Sequence, residues 1–126
     1  MLVNQTAFMN ECKERNENVR LELINGHVIN GEITSEDKFT IIVNETTTKY
    51  NQQIPFLNAM KNDKLEVTIN LINSIQVKGI ISAHDMYTII VDNNKLLFKN
   101  NISSVVVNNS KVVMIFKSSI AINELQ

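Results

Sequence analysis

FMNECKERNENVRLELINGHVINGEITSEDKFTIIV, from Phe8 to Val43, and FLNAMKNDKLEVTINLINSIQVKGIISAHDMYTIIV, from Phe56 to Val91, decide how this chain is read. They align without a gap at an offset of 48, with 14 of 36 positions identical, Leu23-Ile24-Asn25/Leu71-Ile72-Asn73, Gly31/Gly79, Asp37/Asp85 and Thr40–Val43/Thr88–Val91 among them. Chance similarity in an Ile- and Asn-rich chain scatters its matches and needs gaps, so the chain holds a duplication. Each copy starts with apolar residues at the spacing of one helix face: Phe8, Met9 and Cys12, then Phe56, Leu57 and Met60. Alternation follows, with Val19, Leu21 and Leu23 on one side and Arg20 and Glu22 on the other; Val67, Ile69 and Leu71 repeat it. Asn25-Gly26 reads as a two-residue hairpin turn and Asn73-Ser74 as its weaker twin. Strands are expected around Val28–Ile33 and Phe39–Val43, and around Val77–Ile81 and Tyr87–Val91. Gly31 and Gly79 fall inside strands, where a missing side chain marks a bend or close backbone approach. A helix followed by a bent antiparallel meander indicates a small barrel.

A second similarity runs at an offset of 18: LLFKNNI, from Leu96, resembles MIFKSSI, from Met114. Two helix-plus-three-strand units are thus followed by two closing strand pairs. The first unit has no closing pair of its own, because Thr46–Pro55 is polar, carries the only proline and runs into the second helix. The expected arrangement is nested: module B, 47–108, inserted in a loop of module A, 1–46 plus 109–126. A linear order, in which the polar stretch supplies the last strand of module A, is the alternative.

The 126 residues, 44% hydrophobic and 20% charged, suffice to bury a core. A net charge of −1 excludes a whole-chain basic sheath for duplex nucleic acid, although local basic sites remain open. The single cysteine, Cys12, excludes an intramolecular disulfide framework and suits a reducing, cytoplasmic compartment. The longest apolar run, Val112–Phe116, is far too short for a membrane span, and no signal peptide is read at the N-terminus. His27 and His84 stand isolated from metal-ligand spacing, and no phosphate loop or nucleophile elbow occurs in its required context. Neither an enzyme nor a cofactor is expected. Asp37 and Asp85 read as turn-fixing residues rather than bases, and Cys12, aligned with Met60, as a packed thiol.

QQIPFLNAMK (52–61), then VTINLINSIQVKG and LLFKNNISSVVV, resembles the bacterial Sm-like RNA chaperone family Hfq, closely across module B and more loosely across module A. The resemblance implies a mainly β fold, two five-stranded SH3-like barrels each with an N-terminal helix. It also implies edge-to-edge assembly into six-module rings that bind single-stranded RNA. Three chains of two modules would close such a ring as a homotrimer. Carried over position by position, the uridine-binding face would use Phe39 and Tyr87 for base stacking, Gln5 and Gln53 as polar contacts, and Lys99 and Lys117 towards RNA. The bland reading of Phe39 and Tyr87 is as ordinary sheet aromatics. The family's Lys-His pair has become Lys99-Asn100 and Lys117-Ser118, losing an imidazole. Its adenine-binding tyrosine is replaced by Glu22 and Asn70, so purine-tract binding there is expected to be weak or absent. The basic rim corresponds to Lys13, Arg15, Lys61 and Lys64, without an arginine cluster. Module A carries six basic against nine acidic residues, −3, and module B six against four, +2. Lys99 and Tyr87 are therefore expected to matter more to RNA than Lys117 and Phe39. The alternative function is an Sm-like protein-interaction scaffold that has lost RNA binding.

Overall fold

The computed structural model describes residues 18–45 and 50–125. The expected first helix, with Phe8, Met9 and Cys12, lies outside them. Ten antiparallel strands form one hydrogen-bonded sheet. β1 (Asn18–Leu23), β2 (Val28–Glu36) and β3 (Thr40–Val43) precede helix α1 (Gln53–Asn62). Then come β4 (Glu66–Leu71), β5 (Gln76–His84), β6 (Thr88–Val91) and β7 (Lys95–Phe98). A 3₁₀ turn over Lys99–Asn101 leads to β8 (Ile102–Val107), and a second over Lys117–Ser119 joins β9 (Val113–Phe116) to β10 (Ile120–Leu125).

The spatial order is β10-β1-β2-β3-β9-β8-β4-β5-β6-β7. Five strands, β8-β4-β5-β6-β7, repeat the order of the other five, β10-β1-β2-β3-β9, so the fold is mainly β with two modules. The duplication extends to irregularities. β2 shifts register between Ile33 and Ser35, and β5 does so between Ile81 and Ala83. β1 shifts between Glu22 and Leu23, and β4 between Asn70 and Leu71. Such bulges bend a strand and tighten its twist, which lets five short strands curl towards a barrel.

Alternation delivers the core. Val19, Leu21 and Leu23 are buried with Ile33, Ile41, Val43 and Ile115; Val67 and Ile69 are buried with Ile81, Ile89, Val91 and Val105. Phe56, Leu57 and Met60 bury one face of α1 on that second cluster. A Cβ built on Gly31 would stand 2.5 Å from Val43 Cγ1 and from Asn44 Oδ1, and one on Gly79 would stand 2.5 Å from Asp92 Oδ2. Both glycines therefore serve close approach.

The hairpin turn differs from expectation. The Leu23 and His27 main chains bond across a three-residue loop, Ile24-Asn25-Gly26, in which Gly26 has φ 88° and Asn25 is not left-handed. The Asn25 side chain accepts the His27 N–H at 3.1 Å instead. Asn73 does the same for Ile75, with Ser74 at φ 73°. Asparagine here contributes a side-chain turn rather than a positive φ.

Candidate functional site

The β2–β3 turn is built by Asp37, whose carboxylate accepts the Phe39 and Thr40 N–H groups at 2.9 and 2.8 Å and the Thr40 hydroxyl at 2.9 Å. Asp85 repeats this for Tyr87 and Thr88. Tied from beneath, each turn pushes its aromatic outwards: Phe39 is 60% exposed and Tyr87 71%. An aromatic left this open gains little from the sheet.

Asp37 has a second task. Its other oxygen accepts the Gln53 N–H at 2.8 Å, and the Ser35 hydroxyl accepts the Gln52 N–H at 2.9 Å. No side chain of the residue entering α1 caps the helix, so the first donors of α1 are met from the end of β2 and the β2–β3 turn. Burial alone raises the Asp37 carboxyl's pKa, but the N–H groups of Gln53 and Phe39 and the Thr40 hydroxyl hold it below the ordinary carboxylate value. Asp85 is also lowered, chiefly by the Tyr87 N–H and the Thr88 hydroxyl.

These contacts bring Gln53 beside Phe39. Lys99, in the turn between β7 and β8, donates from Nζ to Gln53 Oε1 at 2.7 Å. Burial lowers its pKa, opposed by Asp85 and Asp37. Lys117 occupies the corresponding turn between β9 and β10, yet its partner is Glu36, with Nζ 2.6 Å from Oε2 and both side chains buried. Phe39, Tyr87, Gln53, Lys99 and Lys117 line one cavity of about 520 Å³, with Lys38, Met86, Asn100, Phe116 and Ser118. A neighbouring cavity takes Phe39, Gln53 and Lys99 with Asp37 and Pro55 but not Tyr87, which faces a third with Phe98, Lys99 and Asn100. The arrangement offers aromatic planes, an amide and a cation on an open surface.

Of the other expected residues, Lys61 in the last turn of α1 and Lys64 just after it are exposed. Gln5, Lys13 and Arg15 lie outside the described residues. Asn70 is buried and donates to Ser104 Oγ at 3.1 Å, while Glu22 pairs with Arg20 at 3.2 Å. Neither offers a stacking plane. Among the described residues, no group of three potential ligands gathers for a metal and no helix is long and apolar enough to cross a membrane. His84 Nε2 meets Asn58 Oδ1 at 2.7 Å. Sequence reasoning missed Glu36. It aligns with His84 at the offset of 48 and is a charge difference beside an identical aspartate, a signal open to inspection.

No curated protein matches the chain. A crystal structure of the pleiotropic translational regulator Hfq is similar, at 30% identity over 44% of this chain and 89% of that one, with a TM-score of 0.43. The sequence model of the Hfq protein family matches twice, at residues 4–54 and 51–112. With two matches that together take in most of the sequence, and two five-stranded modules of the same strand order, the chain belongs to the Hfq family of Sm-like proteins.

Proposed function

We propose that this protein is a non-enzymatic, cytoplasmic RNA-binding protein that holds single-stranded, uridine-rich RNA on its helix-bearing face. The observation that carries this is the cavity in which exposed Phe39 stands with Gln53 and Lys99, with a second exposed aromatic, Tyr87, close by. Base stacking on an aromatic is worth about 1–3 kcal/mol. A buried lysine hydrogen-bonded to a neutral amide keeps its charge for an incoming phosphate or base carbonyl.

The binding unit in this reading is a ring of three chains, each contributing module A (1–46 plus 109–126) and inserted module B (47–108). The nested order is supported by the pairing of β3 with β9 and β1 with β10 across the intervening module. The ring is supported by the seam within the chain, where β9 pairs β8 with Ile115 opposite Ser104, Met114 opposite Val105 and Val113 opposite Val106. At the offset of 18 these residues become β7 and β10, the two outer strands of the sheet among the described residues. Joining them between chains places Leu97 opposite Ile122, Leu96 opposite Asn123 and Lys95 opposite Glu124, an apolar strip ending in opposite charges. Edge closure also removes a hazard of open pairing.

Fluorescence anisotropy with short U-rich and A-rich RNAs, titrated with salt, tests the reading. U-rich RNA should bind more tightly, and Lys99→Met should cost about tenfold in affinity at low salt and less at high salt. No binding by the intact ring would favour the scaffold reading, whose support is the carboxylate already occupying Lys117.

A further inference from the structure

The two modules present the same lysine with different partners. Lys99 sits on the amide of Gln53, and among the described residues no carboxylate ion-pairs with it. Lys117 sits on the carboxylate of Glu36. Both lysines are buried and both reach the same cavity. A buried cation on a neutral amide gains from an anionic or carbonyl ligand; one already matched to a carboxylate must first give that pair up.

The junction within the chain shows how a pocket is composed. Its aromatic, Phe39, comes from the β2–β3 turn of one module, and its amide and lysine, Gln53 and Lys99, from the other, clamped together by Asp37. Repeating that composition at the junction between chains would set Tyr87 against Lys117 of the neighbouring chain, which brings its own Glu36. Pockets around the ring would therefore alternate between a charged and a neutralised type.

Resting on the RNA-binding ring proposed above, we infer that Glu36 is a specificity-determining residue that withdraws Lys117 from RNA and confines tight binding to every second pocket, built from Phe39, Gln53 and Lys99. The sequence supports an assignment to Glu36 rather than to the whole module, because the lysine is common to both copies while position 36 is the carboxylate that His84 replaces. A ligand of single-site length then sees one strong pocket per chain, and a longer strand is gripped at alternate modules.

Calorimetric titration of a short U-rich RNA of single-site length into the intact protein tests this. Wild type should bind about one oligonucleotide per chain, and Lys99→Met should lose about tenfold or more in affinity. The paired variant Glu36→Gln/Lys117→Met, which removes both charges together, should stay within about twofold of wild type. Glu36→Gln alone puts a neutral amide beside Lys117 in place of the carboxylate and should raise the count towards about two per chain. If Glu36→Gln fails to melt cooperatively, the paired variant decides the matter. A loss in the paired variant equal to that of Lys99→Met, or a wild-type count of about two, overturns the inference and leaves RNA binding intact. Absence of binding by wild type overturns the RNA reading itself and this inference with it.

Discussion

β7 and β9 are near twins in sequence and opposites in setting. Met114 and Phe116 of β9 are 0% and 6% exposed, whereas their counterparts in β7, Leu96 and Phe98, are 54% and 53% exposed. The strand is the same device twice; β9 has β8 against it and β7, among the described residues, has no strand on its outer edge. The difference teaches that burial in this protein is a property of neighbours rather than of the strand. The same strand sequence makes an internal seam at one position and, among the described residues, an unpaired edge at the other.

The strongest way to break the comparison is to place a charge in both twins. Met114→Asp buries an unpaired carboxylate in the seam and should cost about 3–5 kcal/mol, enough to abolish the cooperative melting transition of a marginal domain. Leu96→Asp should leave the chain folded and act on assembly alone. Light scattering should give about three times 14.3 kDa for wild type and a monomer for Leu96→Asp. A monomeric wild type at micromolar concentration would show that β7 is merely an exposed edge.

A finer test uses the proposed register. Lys95→Glu should oppose Glu124 of the neighbour and weaken the ring by about 1 kcal/mol, and adding Glu124→Lys should restore it. Lys95 also stands 3.6 Å from Asp92, and Glu124 3.9 Å from Arg20, within the chain. Failure of the second change to rescue the first, with the melting of the chain unchanged, therefore means that the edges meet in another register or not at all. Removal of 109–126 takes away β9 and β10 together and should leave β1 and β3 without outer partners, while β4–β7 keep theirs and β8 loses β9 but keeps β4. Hydrogen exchange should then show protection lost in 18–43 and retained in 66–107.

Asp37 and Asp85 give the smallest contrast. Asp37→Ala removes a helix cap reached from another element and should cost about 1 kcal/mol of stability, whereas Asp85→Ala loosens only its own turn. Because its carboxyl is lowered on folding, the Asp37 contribution is complete above the unfolded value of about 3.9 and fades as pH falls through the lower folded one. Wild type should thus lose more stability than Asp37→Ala on acidification through that window. Parallel acid profiles for the two would show that Asp37 is not the group responsible.

The duplication, the strands and the buried face of each are written in the linear order, because a period of two and a repeat of 48 are local quantities. So was the role of both aspartates in their turns, since an aspartate three residues before a strand has its donors close at hand. The family resemblance carried by the sequence names Phe39, Tyr87, Gln53, Lys99 and Lys117 together. Their partners were not legible. Nothing local says that Lys117 meets Glu36, 81 positions away, while Lys99 meets Gln53, 46 away. Nor could the sequence say that Asp37 caps a helix of the other module or that one copy of the closing strand is covered and the other left open. Those are long-range choices. They depend on which strand edge lies against which, and only the folded chain settles that, because hydrogen bonds and ion pairs act over a few ångströms of space whatever the separation along the backbone.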